Sequence, residues 1–346
     1  MPDQENELIA NIVVPNMKPS AVANPLVSTN GRDLTSIADF TPMEVNALIQ
    51  LGIAMKRQPA DFRGMLTGKQ VVLFFEKPSL RTRLTFEAGV NSLGGTTFFV
   101  DQTGSKLGER EPIKDIAKNL ERWIDGVVLR TYAHETVTSI AEHASIPVIN
   151  ALSELEHPCQ ALADYMTIAE HFGDPSQAKL AYVGDGNNVA HSLMLTAASL
   201  GATMNIATPP GYEPKASVVA QCQKLAKKSK AKITVTNDPV EAAAGADAIY
   251  TDVWASMGQE SETEARKKLF HPYQVNETLM SFAAPHAKFM HCLPAHRGDE
   301  VTAPVIDSPR SVVYDQAENR LHIQKAILVF LLAGGIHRFP PRSAHA

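Results

Sequence analysis

Short, nearly unbroken apolar runs recur along this chain and alternate with longer amphipathic stretches, a pattern that few folds can satisfy. In the first half the runs are "KQVVLFF", "GTTFFV", "DGVVLRT" and "IPVINA"; in the second they are "AKLAYVG", "TMNIATP", "AKITVTN", "ADAIYTD" and "AKFMHCLP". A strand covered on both faces has no solvent side, so it loses the apolar/polar alternation of a half-exposed strand. The intervening stretches, such as "IKDIAKNLERWI" and "VAHSLMLTAASLG", carry apolar residues at helical spacing. Strands of the first kind separated by helices of the second predict an α/β fold with parallel sheets. At 346 residues the chain is long for one core, so two doubly wound domains are expected. The helix "HPCQALADYMTIAEHFG" would join them near residues 150–170, and the closing "ENRLHIQKAILVFLLAGG" is long and apolar enough to pack back across both halves. "TPMEVNALIQLGIAMKRQ" should open with Thr41 as N-cap and Pro42 in the first helical position.

Composition excludes several classes. A net charge of -5 is the wrong sign for non-specific nucleic-acid binding, and no apolar run has the length of a membrane span. Cys159, Cys222 and Cys292 are odd in number and widely spaced, which suits neither a disulfide framework nor a paired metal motif and points to a cytoplasmic location. Residues 1–31 are polar and dotted with proline, with neither the pattern of a signal peptide nor that of a transit peptide, and read as an extension.

Ligands of open parallel sheets bind beyond the carboxyl ends of the strands, so residues there carry the functional reading. After "VVLFF" comes "EKPSLRTRLTF", where Ser79, Leu80, Arg81 and Thr82 fall at a helix start. Unpaired N–H groups, two hydroxyls and a guanidinium at that place suit a phosphate; an ordinary cap, with Arg83 and Glu87 as a surface i,i+4 pair, uses the same residues. Arg130 ends "DGVVLR" and is either a ligand group or a solvated charge. His157 and Gln160, in "HPCQ", stand at another helix start, where a histidine can donate to a carbonyl oxygen or serve in a cap. "YVGDGNN" resembles the opening of a dinucleotide fingerprint. Its third glycine is missing and the next strand lacks the ribose-binding acid, which weighs against a dehydrogenase. Asp252 follows "ADAIYT" and suits an ammonium group, while Ser256 and Met257 lie in the polar loop after it. Cys292 follows the last run with His291 and His296 nearby, too few ligands at too irregular a spacing for zinc.

Taken in order, "KPSLRTR", "HPCQALAD", "GDGNN", "DVWASMGQE" and "HCLPAHRGDEV" resemble the successive motifs of the carbamoyltransferases, and most closely the ornithine-using branch, from about Arg32 to about Leu332. The resemblance implies transfer of the carbamoyl group of carbamoyl phosphate to the δ-amine of L-ornithine, without cofactor or metal, in a homotrimer or an assembly of trimers whose active sites lie in the cleft between domains and at subunit boundaries. It implies a carbamoyl phosphate domain over 32–166 plus a C-terminal helix at 320–340, and an ornithine domain over 167–319. By motif match, Ser79, Arg81, Thr82 and the backbone of Leu80 would hold the phosphate. Arg130, His157, Gln160 and Arg320 would hold the rest of that substrate. Asn188, Asp252, Ser256 and Met257 would bind ornithine, and Cys292 with Leu293 would lie where the reacting atoms meet. Lys106 would reach a neighbouring subunit's site. Position 80 is Leu where the phosphate motif often has Thr, so one hydroxyl contact is expected to be lost while the backbone N–H remains. Siblings acting on acetylornithine, putrescine or aspartate are the near alternatives; a non-catalytic carbamoyl phosphate-binding relative is the more distant one.

Overall fold

The computed structural model describes residues 32–102, 106–255 and 262–333. In the first half, helix α1 (Pro42–Arg57) precedes β1 (Gln70–Phe75), α2 (Leu80–Ser92), β2 (Thr96–Asp101), α3 (Ile113–Trp123), β3 (Gly126–Arg130), α4 (His134–His143) and β4 (Val148–Leu152). Helix α5 (Pro158–Phe172) then leads to β5 (Lys179–Val183), α6 (Asn188–Leu200), β6 (Thr203–Ala207), α7 (Ala216–Ser229), β7 (Lys232–Thr236), α8 (Pro239–Ala243) and β8 (Ala248–Thr251). After α9 (Thr263–Phe270) and α10 (Glu277–Phe282) come β9 (Lys288–His291), α11 (Ala303–Ile306) and α12 (Val313–Leu332).

Every apolar run read as a strand is a strand, and all are parallel. They form a four-stranded sheet in the order β2-β1-β3-β4 and a five-stranded sheet in the order β7-β6-β5-β8-β9. β3 and β4 are buried along their whole length, whereas the edge strands β2 and β7 are half-exposed. In both sheets the order reverses beside the first strand, so the chain leaves β1 and β3, or β5 and β8, in opposite directions. That divergence opens a crevice at their carboxyl ends. No helix among the described residues is long and apolar enough to cross a membrane.

Local sequence accounts for the helix ends. Thr41 caps α1 in a capping box with Glu44, and Pro42 occupies the first turn. Ser79 is the N-cap of α2, and its hydroxyl accepts from the Thr82 N–H at 3.3 Å. Arg83 pairs with Glu87 at 3.1 Å and lies over the Phe99 ring.

Helix α12 begins at Val313, ahead of the expected 320, and packs against α1, α2, α5 and β9; the expected stretch from 334 to 340 lies outside the described residues. It is buried nearly all round, yet Gln316, Asn319, Arg320 and Gln324, spaced along one face, are buried too. The close approach of α1 to α5 and α12 depends on Gly52, where a Cβ would meet Met166 Sδ at 2.9 Å and Ile323 Cδ1 at 3.2 Å. The domain division expected after residue 166 falls inside α5, which continues to Phe172.

Candidate active site

The ends of β1, β3, β4, β8 and β9 and the starts of α2, α5 and α6 surround a cavity of about 660 Å³, a size suited to small molecules. Of the residues singled out in the sequence, Ser79, Leu80, Arg81, Arg130, His157, Gln160, Asn188, Asp252, Cys292, Leu293 and Arg320 line it. Thr82 does not: it is fully buried behind the wall, where its hydroxyl accepts from Arg320 Nη2 at 2.6 Å and from the Ser79 hydroxyl at 2.9 Å. Lys106 stands outside this cavity, with its ammonium 5.6 Å from the Tyr132 ring centroid. Leu80 is 73% exposed at the cavity mouth. Ser256 and Met257 lie outside the described residues.

One end of the cavity is cationic. Arg130 and Arg320 are buried, and Arg81 is close enough to act on both electrostatically. Burial, then Arg320 and Arg81, pull the Arg130 guanidinium down to about 9. His157 is held well below the ordinary histidine range by burial and by Arg320 and Arg130, so its ring is neutral at physiological pH. Its backbone N–H donates to Ser192 Oγ at 2.9 Å, which anchors the start of α5 to α6. Four buried polar atoms of this wall have no partner among the described residues: Arg130 Nε, His157 Nδ1, Gln160 Oε1 and Arg320 Nε. An unsatisfied buried polar group costs about 1–3 kcal/mol, so a polar anionic ligand would relieve both the charge crowding and the unmet hydrogen bonds.

The other end is built around Asp252. Its Oδ1 accepts from the Cys292 thiol at 3.0 Å and from the Val253 N–H at 2.8 Å, and its Oδ2 accepts from Asn187 Nδ2 at 2.8 Å. Burial and the facing Asp252 carboxylate push the Cys292 thiol well above the usual range. Cys292 is therefore an S–H donor at neutral pH rather than a thiolate. Leu293, next in the chain, has φ +58°, and its N–H donates to His291 Nδ1 at 2.8 Å. Asp252, His291 and Cys292 bring ligand atoms within 4.8 Å of one another, a cluster that chain spacing did not suggest. Both ring nitrogens of His291 are already engaged, by the Leu293 N–H and by Glu300 at 3.2 Å, so a cation there would have to displace them.

Spatial neighbours add residues that the motif reading passed over. Asn187 rather than Asn188 touches Asp252, whereas Asn188 Nδ2 donates to the Ser153 carbonyl at 2.6 Å. The doubled Asn in "GDGNN" was the available signal, but only the N-cap geometry of α6 separates the two roles. Lys77, in "EKPS", also lines the cavity and lies 4.4 Å from the Tyr132 ring centroid. The dehydrogenase alternative fails sterically. A Cβ on Gly186 would lie 2.4–2.6 Å from the backbone of residues 212–214, so this glycine admits the chain itself rather than a pyrophosphate.

His191 fastens the segment before His157. Its Nδ1–H donates to the Leu155 carbonyl at 2.8 Å and its Nε2 accepts from the Lys215 N–H at 2.9 Å, an arrangement that requires a neutral ring. Burial is the main reason its pKa falls to about 4. The unfolded chain takes up this proton near pH 6.5. The stabilisation is therefore complete above pH 6.5 and is lost as pH falls toward 4, by about 3 kcal/mol at the low end. Asp33 and Asp185, both raised to about 6 by burial, act in the opposite sense over the same window. The comparison with His191→Gln isolates the histidine: the melting temperature of the parent should fall relative to that of the variant as pH drops from 6.5 to 4. Parallel curves would mean that His191 does not control acid stability.

Comparison with known proteins agrees with this arrangement. Residues 32–170 match the family model described as the carbamoyl-P binding domain of aspartate/ornithine carbamoyltransferase, and residues 176–331 match its Asp/Orn binding domain. The ornithine carbamoyltransferase of Pyrococcus abyssi is 49% identical over 311 residues, 89% of this chain and 98% of that relative. That of Shewanella oneidensis is 52% identical over 298 residues, 86% of this chain and 98% of the relative. The solved structure of ornithine carbamoyltransferase from Pyrococcus furiosus superposes with a TM-score of 0.86 at 48% identity, covering 89% of this chain and 99% of that one. A cationic pocket and a carboxylate–thiol pocket facing each other across two parallel-sheet units, with these matches along nearly the whole described chain, place the protein in the aspartate/ornithine carbamoyltransferase family.

Proposed function

We propose that this chain is an ornithine carbamoyltransferase, forming L-citrulline and phosphate from carbamoyl phosphate and L-ornithine in arginine biosynthesis. The observation that carries the reading is the set of polar atoms on Arg130, His157, Gln160 and Arg320 that have no partner among the described residues, gathered at the cationic end of the cavity and opposite Asp252. Arg81, Arg130 and Arg320 answer the phosphate, with the N–H groups at the start of α2 as further donors. Position 80 contributes only backbone there, since its side chain is exposed. A neutral His157 can donate one ring N–H to the carbonyl oxygen, and Gln160 Oε1 can accept from the carbamoyl amine. Asp252 suits an ammonium group of ornithine, with Asn188, Ser256 and Met257 as its companions in the motif.

In the reaction the free δ-amine forms a C–N bond to the carbonyl carbon, and the bond from that carbon to the phosphate oxygen breaks. Negative charge builds on the carbonyl oxygen and then on the leaving phosphate, where the arginines and His157 stand. The amine must shed its proton, because an alkylamine with pKa near ~10 is mostly protonated at neutral pH. The Cys292 thiol positions the reactants with Leu293 and is too weak an acid to supply a thiolate base.

The same reading assigns residues 32–166 with the C-terminal helix to the donor and 167–319 to ornithine. It is supported by α12, which packs mainly on α1, α2 and α5 and delivers Arg320 to the start of α2. It also makes the protein a homotrimer in the cytoplasm, with Lys106 serving a neighbour. The lysine stands outside its own cavity, Leu80 and Leu84 leave an apolar face on α2 exposed, and the three cysteines are free. Purified protein supplied with carbamoyl phosphate should make citrulline from ornithine, with little product from putrescine, acetylornithine or aspartate, and should migrate as three chains. Equal or better turnover of another amine would transfer the assignment to that amine.

A further inference from the structure

Gln160 presents one particular end of its amide to the cavity, and the reason can be traced through buried groups to a donor that cannot reverse. The backbone N–H of His291, at the end of β9, donates to Gln316 Oε1 on α12 at 2.9 Å. With its oxygen so occupied, Gln316 turns its Nε2 toward Asp164 Oδ1 at 2.9 Å. Asp164 lies on α5, fully buried, and receives a second donor on the same oxygen, Gln160 Nε2 at 2.8 Å. Burial raises this carboxyl to about 6, so at pH 8 it is ionised and can only accept. The Tyr250 hydroxyl, from β8, lies beside both the Asp164 carboxyl and the Cys292 thiol, and Arg320 adds a nearby positive charge. Each link leaves the next only one orientation, and the last leaves Gln160 Oε1 buried in the cavity wall with no partner among the described residues.

We propose that Asp164, held by Gln316, is a positioning residue that fixes the Gln160 amide with its oxygen toward the substrate, and so makes the donor site select an N–H-bearing carbamoyl group over an acyl group of the same shape. This rests on the donor being carbamoyl phosphate. An acetyl group places a methyl where the carbamoyl group has an amine, so against a fixed acceptor it forfeits a hydrogen bond and leaves Oε1 desolvated and unpaired. If the Gln160 amide were free to turn, neither donor would have the full advantage. Asp164 itself stands behind Gln160 and acts through it.

The probe is acetyl phosphate, used as a competitive inhibitor against carbamoyl phosphate with the full-length enzyme at pH 8. Asp164→Leu keeps much of the shape but removes the acceptor that both amides share, so nothing holds the Gln160 amide one way round. The ratio of the acetyl phosphate inhibition constant to the KM for carbamoyl phosphate should fall about tenfold, the equivalent of ~1.4 kcal/mol. The KM for ornithine at saturating carbamoyl phosphate should stay within about twofold of the parent value. Were the carboxylate merely structural, Asp164→Leu would lower the melting temperature and leave the ratio unchanged; an unchanged ratio in the folded variant overturns the proposal. Should that variant not fold, Asp164→Thr offers a hydroxyl that can either accept from or donate to Gln160 and should shift the ratio in the same direction by about threefold, and an unmoved ratio there is equally fatal. Failure of the parent enzyme to make citrulline at all would instead overturn the functional reading on which this rests.

Discussion

Arg130→Met should lower kcat/KM for citrulline formation by about a thousandfold while the unliganded variant melts no lower than the parent. Arg130 closes β3 at the carboxyl edge, is buried, and has an Nε with no partner among the described residues. Burial and two neighbouring guanidiniums hold its pKa down to about 9, which means that the folded protein without ligand disfavours its charge. Replacing an unpaired buried charge with an apolar side chain of similar reach is typically neutral or stabilising. In the reaction the balance reverses, because a dianionic phosphate and a developing oxyanion need that charge. Losing one preorganised donor to a transition-state anion costs about 10²–10³ in rate, and losing a transition-state arginine costs about 10³ or more. Steady-state kinetics and calorimetry on the same preparation supply both measurements. A variant that loses several degrees of melting temperature along with its activity would show Arg130 to be a structural residue.

Asp252→Asn should raise the KM for ornithine about a hundredfold and leave affinity for carbamoyl phosphate within about twofold. The substitution retains shape and one acceptor oxygen, but it removes the charge and sets an NH₂ against at least one of the donors that point at the carboxylate: the Cys292 thiol and Val253 N–H on one oxygen, the Asn187 amide on the other. A charge-assisted bond to a substrate ammonium contributes about 1.5–3 kcal/mol, and the donor–donor conflict adds to its loss. The cationic wall that would receive carbamoyl phosphate belongs mainly to other elements, the starts of α2 and α5, the end of β3 and α12. The two affinities should therefore separate. If both KM values rise together, Asp252 maintains the shape of the whole cavity instead of serving one substrate.

The strands were legible because burial on both faces requires continuous apolar runs, and each run from "KQVVLFF" to "AKFMHCLP" became a strand. Helix starts were equally plain where their chemistry is local, as at Thr41–Pro42, Ser79 and His157–Pro158. The rule that ligands gather beyond strand ends carried most of the site residues into one cavity. It carried Thr82 too far: that hydroxyl steadies Arg320 from behind. Asp164 and Gln316 gave no signal, since a polar residue on a helix reads as solvent-facing until something packs over it, and α12 is the element that does so here.

Local physical chemistry along the chain, namely apolar periodicity, cap residues and arginines placed just after buried strands, determined the two parallel sheets and most of the groups that meet the cavity. Only the tertiary structure decided how those groups are oriented. The return of α12 across both halves joins residues some 150 positions apart in sequence, as in the Gln316–Asp164 bond, |i−j| = 152, and a contact of that span depends on packing that no local pattern encodes. The same return sets Arg320 beside Thr82, 238 residues away, and so builds the crowded cationic wall in which four buried polar atoms have no partner among the described residues.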